Sequence, residues 1–161
     1  MTSPPPDQHD AILERVRMMM QFTPQGRALG AELVRVGPSR AWGKAPYREE
    51  LVGDPETGVI AGGVLTTFLD QICGVAVILS MQDPRPIATL DLRIDYMRAA
   101  APGRDILAEA HCYKIGQTIA FVRATAYEDT PEDPIAHAVA AFMVHSGAVR
   151  KFGANLRERK S

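Results

Sequence analysis

The sequence predicts an α+β fold in which one long helix is wrapped by a curved antiparallel sheet, and three observations lead there. Between Val59 and Met81 apolar residues fall on every face of a helical period, including Val64, Leu65, Phe68, Leu69, Ile72, Cys73, Val75, Ala76, Ile78 and Leu79. A helix that is apolar all round is enclosed on all sides. From Thr89 to Tyr96 polar and apolar residues alternate with a period of two, the mark of a strand. Three more strand patterns follow in close succession, joined by turn residues, and a sheet laid on a helix buries both.

The elements follow in order. Residues 1–24 read as an N-terminal extension and helix: a Pro-rich start, Asp7 or Asp10 as cap, then Ile12, Val16 and Met19 or Met20 at helical spacing, ending at Met20. Residues 25–148 read as a single domain. In it, Ala31 to Val36 and Arg40 to Pro46 are two modest strands about a Gly37-Pro38 turn. Gly53-Asp54-Pro55-Glu56-Thr57-Gly58 is turn chemistry that leads through Val59-Ile60 to the glycines at the helix start. Asp83-Pro84-Arg85-Pro86 breaks the helix before the alternating strand. Ala99 to Gly103 then turns into a strand over Asp105 to Lys114, with Ile106, Ala108, Ala110 and Cys112 on one face. Gly116-Gln117 connects it to Thr118 to Glu128, whose inward residue is Phe121 or Val122. After Asp129 to Pro134, the strand from Ile135 to His145 is apolar on both faces, as a central strand is. Residues 149–161 form a basic tail, thin in apolar residues.

Composition excludes several classes of function. A chain of 161 residues suits one domain, and 46% hydrophobic with 23% charged residues is neither disordered nor collagenous. Eighteen basic against nineteen acidic residues, a net charge of −1, argue against a broad phosphate-binding surface and so against nucleic acid. Cys73 and Cys112 are too few for a disulfide framework and suit a reducing cytoplasm. The start, MTSPPPDQHD, has no basic or apolar region of a secretion signal. Asp70 and Gln71, in the middle of the apolar segment, argue against a membrane span. No metal site or cofactor is expected: His111 and Cys112 point to opposite faces of a strand, and His137 and His145 are about 27 Å apart. His9 carries no signal, no Gly-rich loop has phosphate-binding spacing, and Thr66, Thr67 and Ser80 lack a His/Asp relay.

Chemistry concentrates on the long helix. Asp70 is the only charged side chain from Val59 to Met81. Burying an unpaired carboxylate is costly, so it must face a cleft, meet a partner such as Arg93 or Arg98, or take up a proton. Facing a cleft, it is a candidate general base or nucleophile. At the helix start Gly62 and Gly63 leave backbone N–H groups open to a ligand, at the positive end of the dipole, which suits an oxyanion; room for packing is the plainer alternative. Eight residues separate Gly62 from Asp70, about 12 Å along one helix, too far for both to touch one carbonyl. If both act on one acyl group, the carboxylate comes from a second copy whose helix runs antiparallel, in a C2 dimer with composite sites.

The run Gly58-Val59-Ile60-Ala61-Gly62-Gly63-Val64-Leu65-Thr66-Thr67-Phe68-Leu69-Asp70, with Thr89-Leu90-Asp91-Leu92-Arg93-Ile94-Asp95-Tyr96-Met97-Arg98 and Pro102-Gly103 after it, resembles the hotdog-fold acyl-CoA thioesterases of the PaaI type, over roughly Gly53 to Val144. The resemblance implies a hotdog fold over residues 25–148 and hydrolysis of an acyl-CoA thioester without metal or cofactor. It implies Asp70 as the catalytic acid residue, Gly62 as the amide that polarises the thioester carbonyl, and Thr89 as the hydroxyl that helps place the water. Ala61 stands where the family usually has His, and Asp54 near a position often taken by Asn. The loss of that His motivates an alternative, a non-catalytic acyl-CoA or hydrophobic-ligand binding protein, and counts against a hydratase. Gly63, Ala61, Asp54, Phe68 and Arg98 are the further substrate-binding candidates, with Phe68 and Met97 shaping the acyl pocket. Arg98 and Arg104, or Arg150 and Lys151, are the candidate cations for the CoA phosphates, with solvated surface charge as the plainer alternative. The expected assembly is a homodimer or a dimer of dimers.

Overall fold

The computed structural model describes residue 14 and residues 16–145; Asp7, His9, Asp10 and Ile12, most of the N-terminal extension, and the basic tail with Arg150 and Lys151 lie outside the described residues. Helical residues 16–22 (α1) precede α2 (Pro24–Leu29), β1 (Glu32–Gly37) and β2 (Arg40–Ala45). A short hairpin, β3 (Val52–Asp54) and β4 (Val59–Ile60), leads into the long helix α3 (Gly62–Ile78). Four strands follow among the described residues: β5 (Ile87–Tyr96), β6 (Ile106–Ile115), β7 (Ile119–Tyr127) and β8 (Ala136–Val144).

The first helix runs two residues past Met20, and α2 follows where the sequence reading assigned no element. Its signals are local. The Thr23 hydroxyl accepts from the Gly26 N–H at 3.0 Å, Pro24 occupies the first turn, and Gly30 closes the helix with φ +66°. Val16 and Met20 of α1 are buried in the same core as the sheet.

Six strands form one antiparallel sheet in the order β1-β2-β6-β7-β8-β5, so β5 crosses over to pair with β8 and becomes an edge. Alternating burial decides which face receives α3. On β6, β7 and β8 the inward positions are mostly alanine: Ala108, Ala110, Ala120, Ala124, Ala138 and Ala140 among them are nearly fully enclosed. Small residues on the sheet let the helix backbone approach, and the bulk comes from α3 through Phe68, Leu69, Ile72 and Val77. The inward residue of β7 is therefore Val122, while Phe121 points out at 36% exposure. This is the α+β arrangement of the hotdog fold.

Two expectations are corrected in detail. β8 does lie inside the sheet, but its burial alternates and Val139 is 43% exposed, because flanking strands cover its edges while only one face receives a helix. The helix α3 is likewise enclosed only in its second half. Residues 72–77 are buried, whereas Gly62, Gly63 and Thr66 are exposed and Thr67 and Asp70 half-buried, an open stripe at spacings of three and four.

Candidate active site

The polar groups of the site are carried by one helix and one strand, and a single irregularity in the strand aligns them. Along β5, Thr89 pairs with Phe142, but the next pair is Asp91 with Ala141, so Leu90 is an extra residue in the ladder and stands 54% exposed. With strict alternation Thr89 and Tyr96, seven apart, would face opposite ways. The bulge changes the parity: Thr89, Leu92, Ile94 and Tyr96 all lie opposite the buried residues Phe142, Ala140, Ala138 and Ala136, on the side that faces α3.

Asp70 meets this strand. The Thr89 hydroxyl donates to Asp70 Oδ1 at 2.8 Å, while the two arginines considered as partners are engaged elsewhere. Arg93 holds Asp95 at 2.9 Å, and Arg98 holds Glu128 at 2.9 Å and Asp133 at 3.2 Å. Among the described residues Asp70 has no ion-pair partner.

At the other end of the stripe, Ala61 is the N-cap of α3, with extended backbone (φ −60°, ψ 136°) and no side-chain cap. Its N–H donates to the Leu51 carbonyl, and its carbonyl accepts from Val64. Among the described residues no side chain therefore caps the N–H groups of Gly62 and Gly63, the donors every helix start leaves over. The hairpin β3–β4 sets this start in place. Gly53 is needed because a Cβ there would come within 2.7 Å of Ala61 Cα, and Gly58 because the turn demands φ +73°. A Cβ on Gly63 would meet nothing within 4 Å, so the approach is open. Beside it lies a cavity of about 310 Å³ lined by Val59, Ile60, Gly62, Leu65, Tyr96 and Met97, with Arg98 at its border.

One residue here escaped the sequence reading. The Tyr96 hydroxyl donates to the Gly62 carbonyl at 3.0 Å and lies 3.2 Å from the Thr66 hydroxyl, which itself reaches the same carbonyl at 3.2 Å. Tyr96 reads in sequence only as the end of an alternating strand, and the bulge that turns it inward leaves no local signature.

The remaining candidates separate. Asp54 turns its carboxylate onto its own loop, accepting from Thr57 Oγ1 at 2.7 Å and the Glu56 N–H at 3.0 Å, and these bonds, the Thr57 one foremost, hold its pKa below the ordinary value. It stands beside the start of α3, not beside Asp70 on the same helix. Phe68 is fully enclosed in the protomer core, packed away from the open stripe. Thr67 bonds back to the Gly63 carbonyl and Ser80 to Ala76. Burial raises the Cys73 thiol pKa, so that group stays protonated. Among the described residues no cluster suits a metal ion, and no helix is long and apolar enough to cross a membrane.

Arg98 and Arg104 have partners of their own. Glu128, with its side chain 4% exposed, binds Arg98 and the Ala101 N–H and raises the guanidinium pKa further, while Arg104 is paired with Asp129. Replacing Arg98 by Ala leaves a nearly enclosed carboxylate with one donor, and should lower the unfolding free energy by about 2 kcal/mol with KM unchanged. Thermal unfolding beside steady-state kinetics checks this; a tenfold rise in KM at undiminished stability would make Arg98 a phosphate ligand instead.

Comparison with known proteins agrees with this architecture. Residues 57–135, which hold the helix start, Asp70 and Thr89, match the model of the thioesterase superfamily. The human protein named acyl-coenzyme A thioesterase 13 is 30% identical over 112 residues, 69% of this chain and 78% of that protein. A crystal structure from Pseudomonas aeruginosa, 37% identical, superimposes with a TM-score of 0.76 over 83% of this chain and 99% of the other. The Escherichia coli PaaI protein shares the fold at 14% identity, with a TM-score of 0.74 over 87% of this chain and 97% of that one.

Fold and matches together define a hotdog thioester hydrolase. The chain belongs to the thioesterase superfamily, as the run from Gly58 to Asp70 led us to expect.

Proposed function

We propose that the protein hydrolyses acyl-CoA thioesters at composite sites between two copies of the chain. The Gly62 N–H stabilises the oxyanion, and Asp70 of the second copy, oriented by Thr89, activates water or attacks the carbonyl. The open stripe on α3 carries this reading: free amide donors at one end, a carboxylate held by a hydroxyl and, among the described residues, by no cation at the other, on one exposed side of one helix. The two ends are about 12 Å apart, so no single protomer brings them together. A second copy supplies the missing half if the helices lie antiparallel.

The edge strand supports such a pairing. β5 spans ten residues, has a side left unpaired among the described residues and bears exposed Leu90 and Tyr96. An edge this long, with free N–H and C=O groups, invites another strand. Pairing β5 with its own copy about a two-fold axis continues the sheet and sets the two α3 helices antiparallel. The acyl-CoA substrate is supported by the name of the human relative, most of whose length this chain spans.

Complementation tests the shared site. Gly62→Pro removes one N–H at a position where the helix tolerates proline, since Ala61 is already extended and a Cβ at 62 stands 3.6 Å from Tyr96 Oη. We expect it to lower kcat roughly 100-fold. Mixed with Asp70→Asn subunits after joint refolding, it should recover about a quarter of wild-type activity, because half the dimers are then mixed and each keeps one intact site. Mixtures no more active than their components would show that each site is built within one subunit.

A further inference from the structure

We propose that Tyr96 is a positioning residue for the oxyanion site: its hydroxyl, with that of Thr66, clamps the Gly62–Gly63 peptide so that the Gly63 N–H serves as a second donor. This rests on the oxyanion role given above to the start of α3. The Gly62 carbonyl and the Gly63 N–H belong to one planar unit, so whatever fixes the oxygen also fixes the direction of the hydrogen. Two hydroxyls fix that oxygen, Tyr96 Oη at 3.0 Å and Thr66 Oγ1 at 3.2 Å, and the two lie 3.2 Å from each other. Donation to the carbonyl also polarises the amide and strengthens its N–H as a donor.

A clamp is needed here for a local reason. Two successive glycines are the most freely rotating pair a helix can start with, and the Ala61 cap brings no side chain to hold them. Tyr96 reaches across from the neighbouring strand to do so, from a position it owes to the bulge at Leu90. It borders the cavity together with Gly62, yet its proton is spent on the backbone, which makes it a positioning rather than a catalytic residue. Gly63 in turn has open space on its side-chain side, where a Cβ would meet nothing within 4 Å among the described residues.

The test compares Tyr96→Phe and Thr66→Val with wild type on butyryl-, octanoyl- and benzoyl-CoA, resolving kcat from KM, with Gly62→Pro and Asp70→Asn in the same assay and thermal unfolding for each. Tyr96→Phe should lower kcat about tenfold with KM within twofold and the unfolding midpoint within a few degrees, and Thr66→Val should add to the loss in the double variant. The inference is overturned if Tyr96→Phe keeps kcat within twofold, or if its loss of rate comes with an equal rise in KM or with a collapse in unfolding temperature. Full turnover in Gly62→Pro would overturn the oxyanion role and this inference with it. Inactive Gly62→Pro and Asp70→Asn beside a fully active Tyr96→Phe would sink the clamp alone.

Discussion

Asp70→Asn should lower kcat on acyl-CoA substrates by roughly 1000-fold while leaving the protein folded. The amide is isosteric with the carboxylate, and its oxygen can still accept the 2.8 Å hydrogen bond from Thr89. What it loses is the charge needed to take a proton from water or to attack a carbonyl. Removing Asp70 breaks no ion pair among the described residues, so the stability change should stay within about 1 kcal/mol. Thiol release followed with a chromogenic disulfide, together with urea unfolding, measures both quantities. If Asp70→Asn kept more than a tenth of the wild-type rate, another group would have to activate the water. Wild type binding acyl-CoA tightly without releasing thiol would favour the ligand-binding alternative.

Phe68→Ala should act in the opposite way, costing about 3–5 kcal/mol of stability and little catalytic power per folded molecule. Phe68 is fully enclosed, and the sheet face that receives α3 is mostly alanine on β6 to β8, with little side-chain length to close a gap. The cavity therefore persists and the loss belongs at the upper end of the range. Equilibrium denaturation gives the stability, and KM for octanoyl-CoA tells packing from substrate contact. A raised KM with stability lowered by less than about 1 kcal/mol would restore Phe68 to the acyl pocket.

The contrast between these two residues shows what the sequence reveals. Both lie on α3, and the run of apolar residues makes the helix legible because burial is a property of composition. Which side of the helix stays open has a mark too, since the small and polar residues Gly62, Gly63, Thr66, Thr67 and Asp70 fall on one side of the helical period, a pattern hidden when the helix is taken as apolar all round. Strand patterns at β5 to β8 were readable from their alternation, and their boundaries agree within about two residues. The placement of β5 beside β8 was not, because pairing between distant strands leaves no local mark. Asp70 stood out as an isolated charge, and the glycine pair as a helix start without bulk. Thr89 entered through resemblance, and Tyr96 went unseen because a bulge shows only when both strands are in view. Arg98, a plausible phosphate ligand by charge, is already held by Glu128, whose enclosure no periodicity announces.

The extra residue at Leu90 gives β5 something like a shifted reading frame: residues before it are in phase with the acid end of the stripe, those after it with the amide end. Each half can change its side chains without disturbing the other, so substitution should be tolerated along this strand more readily than any change of length. A one-residue insertion or deletion between Thr89 and Tyr96 would put the two halves out of step and rotate one end of the site toward solvent, even with every functional side chain still present.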